Sequence, residues 1–118
     1  MKTDLELLTL AAKAIGLVGE AQDDYYLHHG DKDPICAFGC DDGECWSPLH
    51  DDGDAFRLAV KLNICTLLPS RDSSVRQVGA GEVGSTGPAF FETYAPDPVA
   101  AMRRAIVRAA AQIGEAMP

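Results

Sequence analysis

Three cysteines and one histidine lie within fifteen residues of one another in the first half of the chain. The segment CAFGCDDGECWSPLHDDGDAF, residues 36–56, contains Cys36, Cys40, Cys45 and His50. Thiolates and imidazoles are ligands that Zn²⁺ prefers, and a tetrahedral site of three cysteines and one histidine needs no further ligand. Most structural zinc motifs, however, contain a tight C-x-x-C pair, which this segment lacks. Zinc binding is therefore an alternative interpretation, and we otherwise expect no cofactor.

Other catalytic chemistries lack their sequence patterns. The fragments DDGE and DDGD do not continue with the alternating oxygen ligands of a calcium loop, and no cysteine pair has redox-site spacing. No serine lies in a Gly-x-Ser-x-Gly elbow, and the glycine-rich GAGEVG lacks the lysine of a phosphate-binding loop. We therefore expect a non-enzymatic protein, with a metal-dependent, hydrolytic module as the alternative.

The first half of the chain is strongly acidic. Residues 1–54 hold three lysines and thirteen acids, a net charge of -10, whereas residues 55–118 hold seven basic and five acidic residues, a net charge of +2. Such a surface repels phosphate backbones and attracts basic protein surfaces, so we expect a protein partner or self-association and no nucleic acid. The expected binding face contains six acids and one tryptophan: Asp41, Asp42, Glu44, Trp46, Asp51, Asp52 and Asp54.

Trp46 has two interpretations. An exposed tryptophan beside an acidic turn is a frequent anchor for a protein partner. A buried tryptophan instead fills the core between a sheet and a helix, which is the more common situation for so large an aromatic residue. The residue type therefore favours burial and leaves the binding role open.

Length and composition indicate one ordinary globular domain. The 118 residues are 47% hydrophobic and 24% charged, and no apolar stretch reaches the roughly 18 residues of a membrane-spanning helix. The early stretch LLTLAAKAIGLVG is interrupted by Lys13 and preceded by acids, unlike a secretory signal. We therefore expect a single domain over residues 1–118, a cytoplasmic location, reduced cysteines and no membrane contact.

Two helices are predicted within the first 63 residues of the chain. The first follows the capping box formed by Thr3 and Glu6 and stops at Gly16. The second begins near residues 51 or 52, where acids favour a helix start, and ends near Asn63. Apolar residues recur at helical spacing on one face of each helix: Leu5, Leu8, Ala12 and Ile15 in the first, then Phe56, Ala59, Val60 and Ile64 in the second.

A third helix is predicted near the end of the chain. Asp97 is a suitable cap, and Pro98 occupies the first helical position, where its missing amide hydrogen is not needed. The apolar stripe of this helix contains Val99, Met102, Ile106, Ala110 and Ile113. Three arginines lie off that stripe and are expected to be solvated or paired with the acidic first half: Arg103, Arg104 and Arg108.

Two pairs of strands complete the predicted fold. Residues 25–27 and 35–38 flank a segment rich in turn residues and are expected to form a hairpin. Residues 74–79 and 88–94 are expected to pair, with a mobile loop, GAGEVGSTG, between them. The order helix, hairpin, helix, strands, helix predicts an α+β fold in which three helices pack on a small antiparallel sheet.

Two runs of the sequence resemble a known family. WSPLHDDGDAFRLAVKLNI and DPVAAMRRAIVRAAAQIG, with the leading helix, resemble small phage and prophage proteins that include the NinX-like accessory proteins. Matching positions lie in the Trp-x-Pro turn and in the last helix: Trp46, Pro48, Asp51, Asp52, Gly53, Pro98, Ala100, Ala101, Met102 and Arg103. The resemblance implies an accessory protein of the host cell cytoplasm, without an established activity or catalytic residues to carry over.

Overall fold

The computed structural model describes residues 2–21, 26–29, 44–69, 76–82, 90–93 and 96–118. Within these ranges the chain forms three helices: α1 (Asp4–Ala14), α2 (Asp52–Leu62) and α3 (Pro98–Ala116). The described strands form two antiparallel sheets, each in sequential order: β1 (Val18–Ala21), β2 (Tyr26–His29) and β3 (Glu44–Trp46), then β4 (Ile64–Leu67), β5 (Gln77–Glu82) and β6 (Phe90–Thr93). The predicted α+β fold is confirmed, with two small sheets where one was expected.

The predicted start of α1 is confirmed in detail. The hydroxyl of Thr3 accepts a hydrogen bond from the amide of Glu6 at 3.2 Å and donates to the Glu6 carboxylate at 3.3 Å. Gly16 follows the helix with a φ of 80°, a conformation that glycine adopts without steric cost. Leu5, predicted to be buried, is instead 42% exposed because it lies at the margin of the buried stripe, which contains Leu7, Leu8, Ala11, Ala12 and Ile15.

α3 is the central element of the fold. Seven of its residues are buried on several sides of the helix: Ala105, Ile106, Val107, Ala109, Ala110, Ala111 and Gly114. The predicted stripe is confirmed at Ile106 and Ala110, whereas Val99 is exposed because it lies in the first turn, ahead of this buried region. Small residues let α1 approach closely, since a Cβ atom on Gly114 would lie 1.9 Å from the carbonyl oxygen of Leu10.

The second sheet packs one face against α3. Val78 and Ala80 of β5 are buried, and Phe90 packs against the core from β6. The predicted pairing appears as β5 with β6, in a register that places Gly79 opposite Phe91. β5 continues to Glu82, into the predicted loop, because Gly81 and Glu82 pair with β4. Residues 74–75 and 83–89 lie outside the described residues.

The first sheet differs from the predicted hairpin in its partners. The strand predicted at residues 25–27 corresponds to β2, but β2 pairs with β1 on one side and with β3 on the other. The predicted partner at residues 35–38 lies outside the described residues. In the parts of the chain that the structure covers, no helix has the length and apolarity that crossing a bilayer requires.

Candidate functional site

The turn between β3 and α2 positions the acidic residues singled out in the sequence. The carbonyl oxygen of Ser47 accepts hydrogen bonds from the amides of His50, at 3.0 Å, and Asp51, at 2.7 Å, and Pro48 is buried within the turn. Asp51 then caps α2, because its carboxylate accepts a hydrogen bond from the amide of Asp54 at 2.8 Å. The predicted helix start near residues 51 or 52 is confirmed.

Asp54 is an acid that lies fully inside the protein. Its Oδ2 accepts a hydrogen bond from the Ser47 amide at 3.0 Å, and its Oδ1 accepts one from Nη1 of Arg57 at 3.2 Å. The pKa of the Asp54 carboxyl is raised from 3.8 to about 6, mainly by burial; the Ser47 hydrogen bond lowers it, the negative charge of Asp51 raises it, and the Arg57 charge lowers it. Asp54 therefore links the turn to α2 from the inside.

The expected acidic face is only partly present at the surface. Asp51 and Asp52 are exposed, and the Asp52 side chain, 71% exposed, pairs with Arg103 of α3. Trp46 and Asp54 are fully buried, so neither side chain belongs to a surface for a partner. Trp46 is buried because the Trp-x-Pro turn folds it into the core, as its residue type favoured. Of the remaining members, Asp41 and Asp42 lie outside the described residues, and only the backbone of Glu44 is described, in β3.

The predicted zinc ligands remain a hypothesis. Cys36 and Cys40 lie outside the described residues, and Cys45 lies in β3, where its backbone pairs with Leu27. His50 is exposed, with Nδ1 3.4 Å from the Ser47 hydroxyl. The described residues contain no group of three side chains able to hold a metal ion. Cys65 is exposed on β4 because α2 ends before it and the strand turns it outward.

The outward side of α2 carries apolar residues that the sequence pattern assigned to the core. Phe56 is 70% exposed and Val60 is 66% exposed, whereas the buried residues of the helix are Asp54, Ala55, Leu58 and Ala59. Asp52, Phe56 and Val60 follow one another at intervals of four residues, so they lie on one side of the helix. We call these three residues the outer row of α2.

A separate groove lies between the beginning of α1, β6 and α3, with a volume of about 410 Å³. Arg104 and Arg108 of α3 line it, and both contact the Glu92 carboxylate of β6. Arg104 also pairs with Asp4 at 2.6 Å. The prediction that the α3 arginines pair with the acidic first half is therefore confirmed for Arg103 and Arg104, whereas Arg108 pairs with an acid of the second half.

No sequence pattern indicated this groove. Its lining comes from residues far apart in the chain, and its arginines were noted only as side chains off the apolar stripe of α3. The signal that could have found it is the spacing of Arg104 and Arg108, because residues four apart project from the same side of a helix. The sequence matches no protein-family model, and comparisons with curated proteins and with solved structures give no match, so the resemblance to phage accessory proteins stays a prediction.

Proposed function

We propose that the protein is a non-enzymatic accessory protein, of the phage type that its sequence resembles, and that it binds a protein partner through the outer row of α2. The observation that carries this proposal is the exposure of Phe56 and Val60 directly beside the acidic start of the helix. Large apolar side chains exposed together and bordered by charges are typical of surfaces that bind other proteins.

The charge of this region defines the chemistry of the partner. Asp51 and Asp52 are both exposed at the start of α2, and residues 1–54 have a net charge of -10. A partner segment with lysine or arginine beside a large apolar residue would therefore match the outer row in both charge and polarity. Phe56 would supply most of the binding energy, because aromatic residues dominate protein interfaces, and the acids would accelerate association and select the partner.

The arrangement within α2 supports a role for these side chains outside the folded core. Leu58 is fully buried and Ala59 nearly so, which shows that the helix already has a complete inward face. Phe56 and Val60 project from the opposite side, where they contribute little to folding. Substitutions in the outer row should therefore change binding without unfolding the protein.

A displayed library of random peptides tests the proposal and does not require the partner to be identified first. The full chain should enrich peptides that combine basic and large apolar residues, and their binding should weaken as salt is raised. The double variant Phe56→Ser, Val60→Ser should lower the affinity for these peptides roughly tenfold or more, because each buried side chain is worth about 1.5–3 kcal/mol.

A matched control separates this effect from a general loss of surface hydrophobicity. Met117→Ser removes an exposed apolar side chain just past the C-terminal end of α3, at the opposite end of that helix from Arg103, which contacts the outer row, and should leave peptide binding unchanged. Enrichment of acidic peptides, binding that ignores ionic strength, or an equal loss in the control variant would contradict the proposal. Thermal unfolding of each variant would establish that it is folded.

A further inference from the structure

The groove between α1, β6 and α3 has the size and lining of a small-molecule site. Its volume of about 410 Å³ falls within the roughly 300–1,000 Å³ typical of ligand pockets. Leu7 and Ala111 contribute buried aliphatic surface, and Phe90 contributes an aromatic ring. A ligand in the groove would therefore have an apolar part to place against these three side chains.

The groove also holds two guanidinium groups in fixed positions. Arg108 lies over the Phe90 ring, with its central carbon 5.0 Å from the ring centre. Its Nη1 donates to the Glu92 carboxylate and, at 3.2 Å, to the carbonyl oxygen of Phe91. Stacking and two hydrogen bonds of this kind restrict the conformations of an arginine side chain, so the side chain loses less entropy when it binds a ligand.

Arg104 is held one helical turn away by other contacts. Its Nη1 donates to Asp4 at 2.6 Å, and its Nε lies 3.9 Å from the Glu92 carboxylate. Among the described residues, all polar contacts of Arg104 and Arg108 use Nη1 or Nε, which leaves the Nη2 donors of both residues for a ligand. Two such donor groups, on side chains four residues apart, suit the two oxygens of one carboxylate.

The two arginines favour an anion over a neutral ligand. Three cationic residues line the groove, Lys2, Arg104 and Arg108, against two acids, Glu92 and Glu115. Lys2 pairs with Glu115 at 2.8 Å, Glu92 contacts both arginines, and Asp4, from outside the lining, pairs with Arg104. The Asp4 side chain is 53% exposed, so a ligand carboxylate would compete for Arg104 only with a carboxylate that lies largely in water, whose ion pair adds little stability.

We propose that this groove binds a small carboxylate with an apolar body, the carboxylate between Arg104 and Arg108 and the apolar part against Leu7, Phe90 and Ala111. This site is independent of the outer row of α2, because the two share no residue. The proposed carboxylate binding can therefore be refuted without affecting the proposed partner binding, and the reverse also holds.

A nuclear magnetic resonance titration of the full chain with phenylbutyrate tests the proposal. Saturable shifts should appear at the amides of β6 and α3, with a dissociation constant below about 10 mM. Phenylbutyramide has the same apolar body without the charge, and butyrate has the charge without the ring. Each should bind at least roughly tenfold more weakly than phenylbutyrate, because each lacks one of the two interactions.

Two variants locate the site, and a third serves as their control. Arg104→Gln removes one guanidinium, and Gln112→Glu adds a negative charge to the lining without removing an ion pair; each should weaken phenylbutyrate binding roughly tenfold. Arg103→Gln changes the neighbouring arginine, which does not line the groove, and should leave binding unchanged. Equal binding of acid and amide, no saturable shift, or unchanged binding in folded Gln112→Glu protein would overturn the proposal.

Discussion

Replacing Asp54 with asparagine should remove a dependence of stability on pH that this carboxyl imposes on the fold. Asp54 is buried beneath the Trp-x-Pro turn, and its pKa in the folded protein is about 6, against an ordinary value of 3.8. At a pH between these two pKa values, the Asp54 carboxyl keeps its proton in the folded protein and releases it in the unfolded chain. Stability therefore falls as pH rises through this window, which is the direction expected for a carboxyl that burial keeps protonated.

The size of the effect follows from the two pKa values. A difference between 3.8 and about 6 corresponds to ~3 kcal/mol of unfolding free energy, present in full below the lower value and lost above the upper one. About 2 kcal/mol of this loss falls between about pH 4.5 and about pH 7, because part of the transition lies below that range. Asparagine has a similar shape, can accept the hydrogen bond from the Ser47 amide and does not titrate.

Urea unfolding of both proteins across this pH range measures the contribution directly. The stability of the natural protein relative to the Asp54→Asn variant should decrease by about 2 kcal/mol between about pH 4.5 and about pH 7. Other acids titrate in both proteins, so the comparison cancels their contribution. Parallel stability curves, or a natural protein that gains stability relative to the variant as pH rises, would refute the assignment of a raised pKa to Asp54.

Three further substitutions test the packing. Gly114→Ala should destabilise the protein by ~1–3 kcal/mol in urea unfolding, because the new Cβ would lie 1.9 Å from the Leu10 carbonyl oxygen. At an exposed helical glycine the same change stabilises by about 1 kcal/mol, and a gain of stability of that size here would contradict the close approach of α1. Asp97→Ala should lose about 1 kcal/mol because the carboxylate accepts hydrogen bonds from two amides of the first turn, and Asp97→Ser should restore most of it. Leu58→Ala should lose ~2–5 kcal/mol because Leu58 faces the core, whereas Val60→Ala should change stability by no more than about 0.5 kcal/mol in either direction; similar losses for the two variants would contradict the burial of Leu58 and the exposure of Val60.

Helix boundaries were predictable because local chemistry sets them. Thr3, Asp51 and Asp97 each cap the helix that follows, as their residue types and positions indicated. The required information lies within four residues of each boundary: a side-chain oxygen, the unpaired amides of the first turn, and in α3 a proline at the first helical position. No distant contact is needed to place such a start.

The predicted buried side of α2 was wrong at Phe56 and Val60, although Ala59 and Ile64 are buried as expected, because the orientation of the helix depends on a distant contact. Counting apolar residues places Phe56 and Val60 inward and Asp54 outward. In the structure Asp54 is buried because the Ser47 amide and Arg57 satisfy its carboxylate. Only the fold of the preceding turn brings that amide to the helix. Because its hydrogen-bond partners are present in the fold, the buried Asp54 turns inward a different side of α2 from the side that carries the most apolar residues.

The missed strands, and the missed end of β5, have weak patterns of their own. β1 contains Gly19 and Glu20, β4 follows α2 after a single residue, and β5, predicted only as far as Gly79, continues through a second glycine, Gly81. Glycine is unfavourable in isolated strands, and a short apolar run after a helix reads as part of that helix. These strands form because neighbouring strands and a helix cover them, α1 in the case of β1 and α3 in the case of β4 and β5. The groove was missed for the same reason: the spacing of Arg104 and Arg108 marks only its α3 side, and α1 and β6 come next to α3 only after folding.

The arginines of α3 explain how the acidic first half is held against the rest of the fold. Arg103 donates to the carbonyl oxygen of Leu49 at 2.9 Å and pairs with Asp52, so it fixes the beginning of α2. An ion pair with so exposed a carboxylate adds at most about 1 kcal/mol of stability, and its main effect is to orient the helix. A basic partner at the outer row of α2 would compete with Arg103 for Asp52. Removing Arg103 should therefore free that carboxylate and strengthen partner binding, even as it loosens the contact between α2 and α3.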